Sequence, residues 1–167
     1  MMGSISPKTQ QPSSLHLAAF LVSLVLVIIV AALGGIASAD AAGDYGKLAQ
    51  PGWAPPSYLF GPVWSALYLL MAVAAWLVWR VDPRWRNPAI IAYGVQLVLN
   101  LLWSPLFFGL GWRGLALIDI VLLDLAVAVT IALFWRIHRP AAAMMVPYLA
   151  WILFATALNY SVWSLNS

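Results

Sequence analysis

The sequence predicts an all-α integral membrane protein, a bundle of five transmembrane helices. Three observations carry this: five apolar stretches of spanning length, very few charges, and concentration of nearly all the charge in short segments between the stretches. A bilayer core of about 30 Å is crossed by about 20 helical residues. The stretches fall at about 15–38, 57–80, 88–108, 114–137 and 141–165. Hydrophobic residues make up 64% of the chain and charged residues 8%, against about a quarter charged in a soluble domain. Lipid is therefore the expected surrounding partner, and 167 residues leave no room for a second domain.

Residues 1–14, rich in Ser, Pro and Gln, read as a disordered tail. In the first span, Ala37-Ser38-Ala39 before Asp40 resembles a signal-peptidase site. The apolar run from Ala18 to Gly35 exceeds the usual h-region of about 7–15 residues, and Lys8 is the sole basic side chain ahead of it, so an uncleaved span is expected. Small residues at Ala31, Gly35 and Ala39, spaced by four, mark a close helix contact.

The remaining spans carry patterned faces. At about 100° per residue, Trp64, Tyr68, Met71 and Ala75 share one face of the second span. Gln96, Asn100, Trp103 and Phe107 do so on the third, and Tyr148, Trp151, Ala155 and Leu158 on the fifth. Amides in hydrocarbon have no water to satisfy them, so Gln96, Asn100 and Asn159 belong in the bundle interior, either as interhelical glue or as ligand partners. Pro62, Pro105 and Pro147 can kink their helices and open space between them. The fourth span holds two acids, Asp119 and Asp124, displaced by about 140° and so unable to form one carboxylate pair. Asp119 is expected to be hydrogen-bonded to interior Tyr, Trp or Asn groups, and Asp124 to be protonated or at a helix contact; a proton relay is the functional alternative.

Orientation follows from the basic residues. Lys8, Arg80, Arg84, Arg86, Arg136 and Arg139 fall on one side and only Lys47 and Arg113 on the other. In a bacterial inner membrane this places the N-terminus in the cytoplasm and the first loop, third loop and C-terminus on the far face. Trp53, Pro55, Pro56, Trp64 and Tyr68 then share one leaflet with Asn100, Trp103, Ser104, Pro105, Asn159, Tyr160 and Trp163. Trp79, Trp85, Trp112 and Trp135, at span ends, read as interfacial anchors; Trp64, Trp103 and Trp151 lie deeper and read as pocket walls or as packing.

Much other chemistry is absent from the sequence. With no cysteine there is no thiolate catalyst or Cys-ligated metal, and His16 and His138 lack ligand spacing, so neither metal nor resident cofactor is expected. No phosphate loop, dinucleotide fingerprint or nucleophile elbow occurs. The net charge of +3 comes from scattered loop residues and forms no basic stripe, which argues against a nucleic-acid partner.

Trp53-Ala54-Pro55-Pro56, Phe60-Gly61-Pro62-Val63-Trp64 and Leu67-Tyr68 resemble the signature of the translocator protein family, also called tryptophan-rich sensory proteins or peripheral-type benzodiazepine receptors. Gln96-Leu97, Leu99-Asn100, Trp103, Pro105 and Phe107-Phe108-Gly109 are similar to its third-helix motif. Pro147-Tyr148-Leu149-Ala150-Trp151 through Ala155-Thr156-Ala157-Leu158-Asn159-Tyr160 are similar to its fifth. The resemblance runs from about Tyr45 to Asn166. It implies a bacterial-type member with a five-helix fold, often homodimeric, that binds tetrapyrroles such as protoporphyrin IX, and synthetic isoquinoline carboxamides or benzodiazepines, under the first loop. Carried onto this chain, the ligand-binding residues are Trp64, Asn100, Trp103, Trp151, Ala155 and Leu158, with Trp53 and Pro55 in the lid; Tyr68 and Tyr148 join them from the shared faces. Some bacterial members are implicated in light-driven porphyrin degradation, which makes Trp64 and Trp151 the candidate catalytic residues; transport of porphyrin or sterol is a third reading. Ser164 stands where the basic residue of the animal sterol motif follows its Tyr, here Tyr160, which argues against sterol binding by that route. Asp124 and Asp44 also depart from the family pattern.

Overall fold

In a computed structural model, residues 13–37 and 45–167 are described. The expected tail through residue 12, Ser38 and Ala39 of the cleavage-like and small-residue motifs, and Asp44 lie outside the described residues. The side chain of His16 lies outside them as well.

The described chain is helical, with no strand. Helix α1 spans Ser13–Ala37, α2 Phe60–Val81, α3 Pro88–Ser104, α4 Arg113–Ile137 and α5 Arg139–Leu165. One 3-10 turn, Ser57–Leu59, leads into α2, and a π turn, Pro105–Gly109, extends α3. Four segments, Ser57–Val81, Pro88–Gly109, Arg113–Ile137 and Arg139–Leu165, are long and apolar enough to cross a membrane. In α1 the described apolar core is Phe20–Leu33, within a helix of 25 residues.

Local chemistry explains the ends. Pro88 opens α3, where its missing N–H costs nothing, and Asn87 Oδ1 accepts from Ala89 N at 2.9 Å as its cap. The same Asn87 donates through Nδ2 to Asp82 Oδ2 at 2.8 Å, and Arg84 donates to both Asp82 oxygens at 2.7 and 2.6 Å, knitting the second loop. The Arg84 guanidinium thereby holds the Asp82 carboxyl below the usual range. At α5 the cap is His138, whose Nδ1 accepts from Ala141 N at 3.2 Å. The prolines act differently from one another. Pro62 sits in the first turn of α2, where it starts the helix rather than kinking it. Pro105 opens the π turn, closed by Leu110 N donating to Pro105 O at 2.8 Å, and Gly111 at φ +66° then reverses the chain into α4. Pro147 lies inside α5, which runs on through it.

The helices close into a ring, α1–α2–α5–α4–α3 and back to α1. Its interior holds Met71, Val78, Ile120, Val127, Phe134, Met145, Tyr148 and Ile152, all buried. Lipid offers no hydrophobic drive between helices, so close approach must come from small residues. Ala72, Ala74 and Ala75 on α2 and Ala141 and Ala142 on α5 are buried and supply it. Gly114 does the same at the start of α4, where an added Cβ would stand 3.3 Å from the Trp163 ring. Outward, Leu69, Val98, Ile118, Leu125, Val129 and Leu153 are exposed on successive helices and form an apolar coat suited to lipid.

Candidate functional site

The face shared by Trp64 and Tyr68 on α2 meets α3 and α5 through a chain of polar groups. Tyr68 Oη donates to Asn100 Oδ1 at 2.9 Å, Asn100 Nδ2 donates to Tyr148 Oη at 3.1 Å, and Tyr148 Oη donates to Gln96 Oε1 at 3.1 Å. Gln96 Nε2 ends the chain on Met71 Sδ at 3.9 Å. Each amide thus takes a partner from a different helix, so Gln96 and Asn100 act as interhelical glue here. A second link stands nearer the third loop, where Trp103 Nε1 donates to Asn159 Oδ1 at 3.0 Å and Asn159 Nδ2 donates to Arg113 O at 3.0 Å.

Aromatic rings surround these links. The Trp64 ring lies 5.3 Å from Tyr68 and 6.2 Å from Tyr148. Trp103 stacks on Phe107 at 5.2 Å. Trp151 meets Phe60 at 6.0 Å and Phe154 at 5.5 Å, and Phe154 meets Trp53 of the first loop at 5.6 Å. Trp53 is half exposed, while Pro55 is partly buried beside it in the chain. Ala155 and Leu158 are buried; Ala155 joins the main core and Leu158 packs with Tyr45, Phe107 and Val162.

Three hydrogen-bond donors at this end have no partner among the described residues: Trp151 Nε1, Tyr45 Oη and Arg113 Nε. Trp151 and Tyr45 flank one ring, since Phe60 stands 5.7 Å from Tyr45 and 6.0 Å from Trp151. Buried donors in folded proteins are nearly always satisfied, so unspent ones mark a place for an acceptor. Tyr45 and Phe154 were missed from sequence. Phe154 carries no polar signal, and Tyr45 lies outside any span, where no helical period exposes its direction.

The acids depart in part from expectation. Asp124 Oδ2 lies 2.8 Å from the Thr156 hydroxyl, an α4–α5 contact of the kind anticipated. Asp119, by contrast, is buried with Oδ2 unpartnered, because the interior Trp103, Asn159, Asn100 and Tyr148 bond to one another. Of the tryptophans expected at the boundaries, Trp85, Trp112 and Trp135 are more than half exposed, and arginines cover two: Arg86 over Trp85 at 4.5 Å and Arg139 over Trp135 at 5.6 Å. Trp79 instead lines a cavity of about 520 Å³ between α1, α2 and α3, which shares no residue with the aromatic site. Among the described residues no cluster of His, Asp or Glu is grouped to hold a metal ion.

Known proteins share this arrangement in sequence. The chain is 40% identical over 125 residues to "Translocator protein" of Homo sapiens, covering 73% of this chain and 74% of the human one. It is 41% identical over 124 residues to "Tryptophan-rich protein TspO" of Archaeoglobus fulgidus, covering 74% and 80%. With "Protein CrtK" of Rhodobacter capsulatus it shares 38% over 154 residues, covering 91% and 95%. The model of the TspO/MBR family matches residues 21–164, a stretch that holds the whole hydrogen-bonded core and aromatic cluster, and the chain belongs to that family.

Proposed function

We propose that this membrane protein is a receptor or sensor for a flat, largely apolar tetrapyrrole such as protoporphyrin IX, bound among Trp53, Trp64, Trp103 and Trp151 beneath the first loop. The observation that carries the reading is the set of unspent donors, Trp151 Nε1, Tyr45 Oη and Arg113 Nε, at the aromatic end. Indole and phenyl faces supply stacking area, and donors without acceptors suit a ligand that brings carboxylates or carbonyls. Synthetic isoquinoline carboxamides and benzodiazepines offer the same combination of flat rings and a carbonyl. The network of Tyr68, Asn100, Tyr148 and Gln96 would then act behind the ligand, holding the wall that Trp64 presents. The protein works as a homodimer in this reading, with its N-terminus on the arginine-rich side.

Titration of purified protein with protoporphyrin IX, followed by tryptophan fluorescence quenching, tests this. Trp151→Ala should weaken binding by the loss of a stacked indole, about 0.5–1.5 kcal/mol beyond lost area. Trp151→Phe keeps the ring and removes only the donor, and should cost less. Equal affinity in wild type and Trp151→Ala, and in a matching Trp64→Ala variant, sinks the placement.

A further inference from the structure

The cavity of about 520 Å³ lies at the end of the bundle opposite the aromatic site and plays no part in the function proposed above. Its walls include Val22, Ser23 and Leu26 of α1, Trp76 and Trp79 of α2, and Tyr93 of α3. Its size falls within the range of ligand pockets, roughly 300–1,000 Å³. We propose that it binds one anionic glycerophospholipid, with an acyl chain against α1 and α2, the phosphate on Arg80 and an ester carbonyl on the Tyr93 hydroxyl.

Two independent observations select this occupant. The first is a cation laid on a wall residue. Arg80, in the last turn of α2, lays its guanidinium 4.8 Å over the ring of Trp76, a wall of the cavity. The nearby acid, Asp82, is already bonded by Arg84 and Asn87, and among the described residues no carboxylate pairs with Arg80. Basic pockets between membrane helices recruit anionic headgroups by this means. The second is a polar group deeper in the wall. Tyr93 is 5% exposed, and its buried hydroxyl makes no hydrogen bond of good geometry, its polar contact being the Ser23 hydroxyl beside it. Its polar neighbour Ser23 has donated its own proton to Ala72 O at 3.1 Å. Tyr93 follows Pro88 by five residues, so it sits about 8 Å below the start of α3. A phospholipid carries its ester carbonyls just inside its phosphate, which matches a cation at the surface above the Tyr93 hydroxyl in a largely apolar wall. A sterol offers a hydroxyl but no anion, and leaves Arg80 unused.

The test uses the full-length protein in detergent, with native mass spectrometry counting lipid adducts from dioleoyl phosphatidylglycerol, dioleoyl phosphatidylcholine and cholesterol. One cationic side chain near a membrane surface favours an anionic lipid by about five-fold, so phosphatidylglycerol should be retained about five-fold better than phosphatidylcholine. Arg80→Gln, an exposed position whose change leaves the bundle intact, should remove that preference. Tyr93→Phe should weaken both phospholipids together, and Val22→Trp, which fills the cavity, should abolish both adducts. Protoporphyrin quenching should be unchanged in Arg80→Gln. The proposal is overturned by equal retention of the two phospholipids, by a preference that survives Arg80→Gln, by stronger retention of cholesterol, or by Val22→Trp converting a dimer into monomers, which would assign the cavity to a second copy of the chain.

Discussion

Asn166 clasps the backbone of Ala49 from both sides. Ala49 N donates to Asn166 Oδ1 at 3.0 Å, and Asn166 Nδ2 donates back to Ala49 O at 2.9 Å. The side-chain amide mimics a peptide group and pairs with the first loop as a strand neighbour would. Because Asn166 caps the end of α5, with Nδ2 also donating to Val162 O at 2.7 Å, the loop carrying Trp53 and Pro55 is tied to the helix carrying Trp151. Both bonds of the clasp are exposed, so water competes with them.

Asn166→Ala should therefore loosen the lid without unfolding the bundle. The two exposed hydrogen bonds to Ala49 and the bond to Val162 O, of about 0.5–1.5 kcal/mol each, are lost and replaced by water. Porphyrin release in stopped-flow fluorescence should speed up several-fold, with the melting temperature in detergent little changed. Unaltered release would mean that the loop is held by Trp53 packing on Phe154 alone.

Tyr148→Phe should behave in the opposite way. Tyr148 is fully buried, and its hydroxyl satisfies both Asn100 and Gln96, so removing it strands an amide hydrogen and an amide oxygen inside the bundle. Interhelical hydrogen bonds in membranes average about 0.6 kcal/mol and reach about 1.7, so a loss of about 1–2 kcal/mol is expected. Thermal unfolding in detergent measures it. Asn100→Leu, which breaks the same chain at its centre, should not add its full effect to that of Tyr148→Phe, because the two share partners.

How much of this was legible beforehand depends on the kind of signal. Apolar helices are legible because length and hydropathy are local: four described segments between Ser57 and Leu165 are long and apolar enough to cross a membrane, and the third stretch, at about 88–108, corresponds to α3 with its π turn. Shared faces also came through, since Trp64 with Tyr68, and Tyr148 with Ala155, follow the helical period into one interior. The partner of each amide did not, because nothing in Gln96 or Asn100 says which neighbouring helix will supply the donor. Asp119 was assigned partners for the same reason, yet those groups satisfy one another. The cavity at Trp79 and Tyr93 is set by the spacing of α1 from α2 and α3, a property of the ring and of no single motif.

Asp119 yields a test that separates a carrier of proton-linked cargo from a binding protein. A buried carboxyl with an unpartnered oxygen is a structural cost of about 1–3 kcal/mol unless function retains it. If the acid has no role in proton movement, Asp119→Leu should raise the melting temperature and leave protoporphyrin affinity unchanged. Loss of pH-dependent porphyrin flux into proteoliposomes on Asp119→Asn, with binding intact, would instead establish the transport reading.

The choice between binding and turnover rests on what the aromatic site contains. The chain is cysteine-free, and among the described residues the polar groups of the site are amides, phenols, indoles and the Arg113 guanidinium. Tryptophan offers stacking, a donor N–H and an oxidisable ring. The enzyme reading therefore draws the reactivity from the porphyrin's own excited state, with dioxygen as the co-reactant, and expects degradation to require light and air. The enzyme reading expects the wild type to consume protoporphyrin IX under illumination faster than detergent alone does at equal light dose, and to leave it intact in darkness. Trp151→Phe separates the roles: stacking persists, so most affinity should survive, while an indole that takes part in radical chemistry is gone and product formation should fall to the detergent rate. Product at the detergent rate in the wild type removes the enzyme reading and leaves binding or sensing. Product at the full rate in both Trp151→Phe and Trp64→Phe removes the indoles from the chemistry while leaving light as its source.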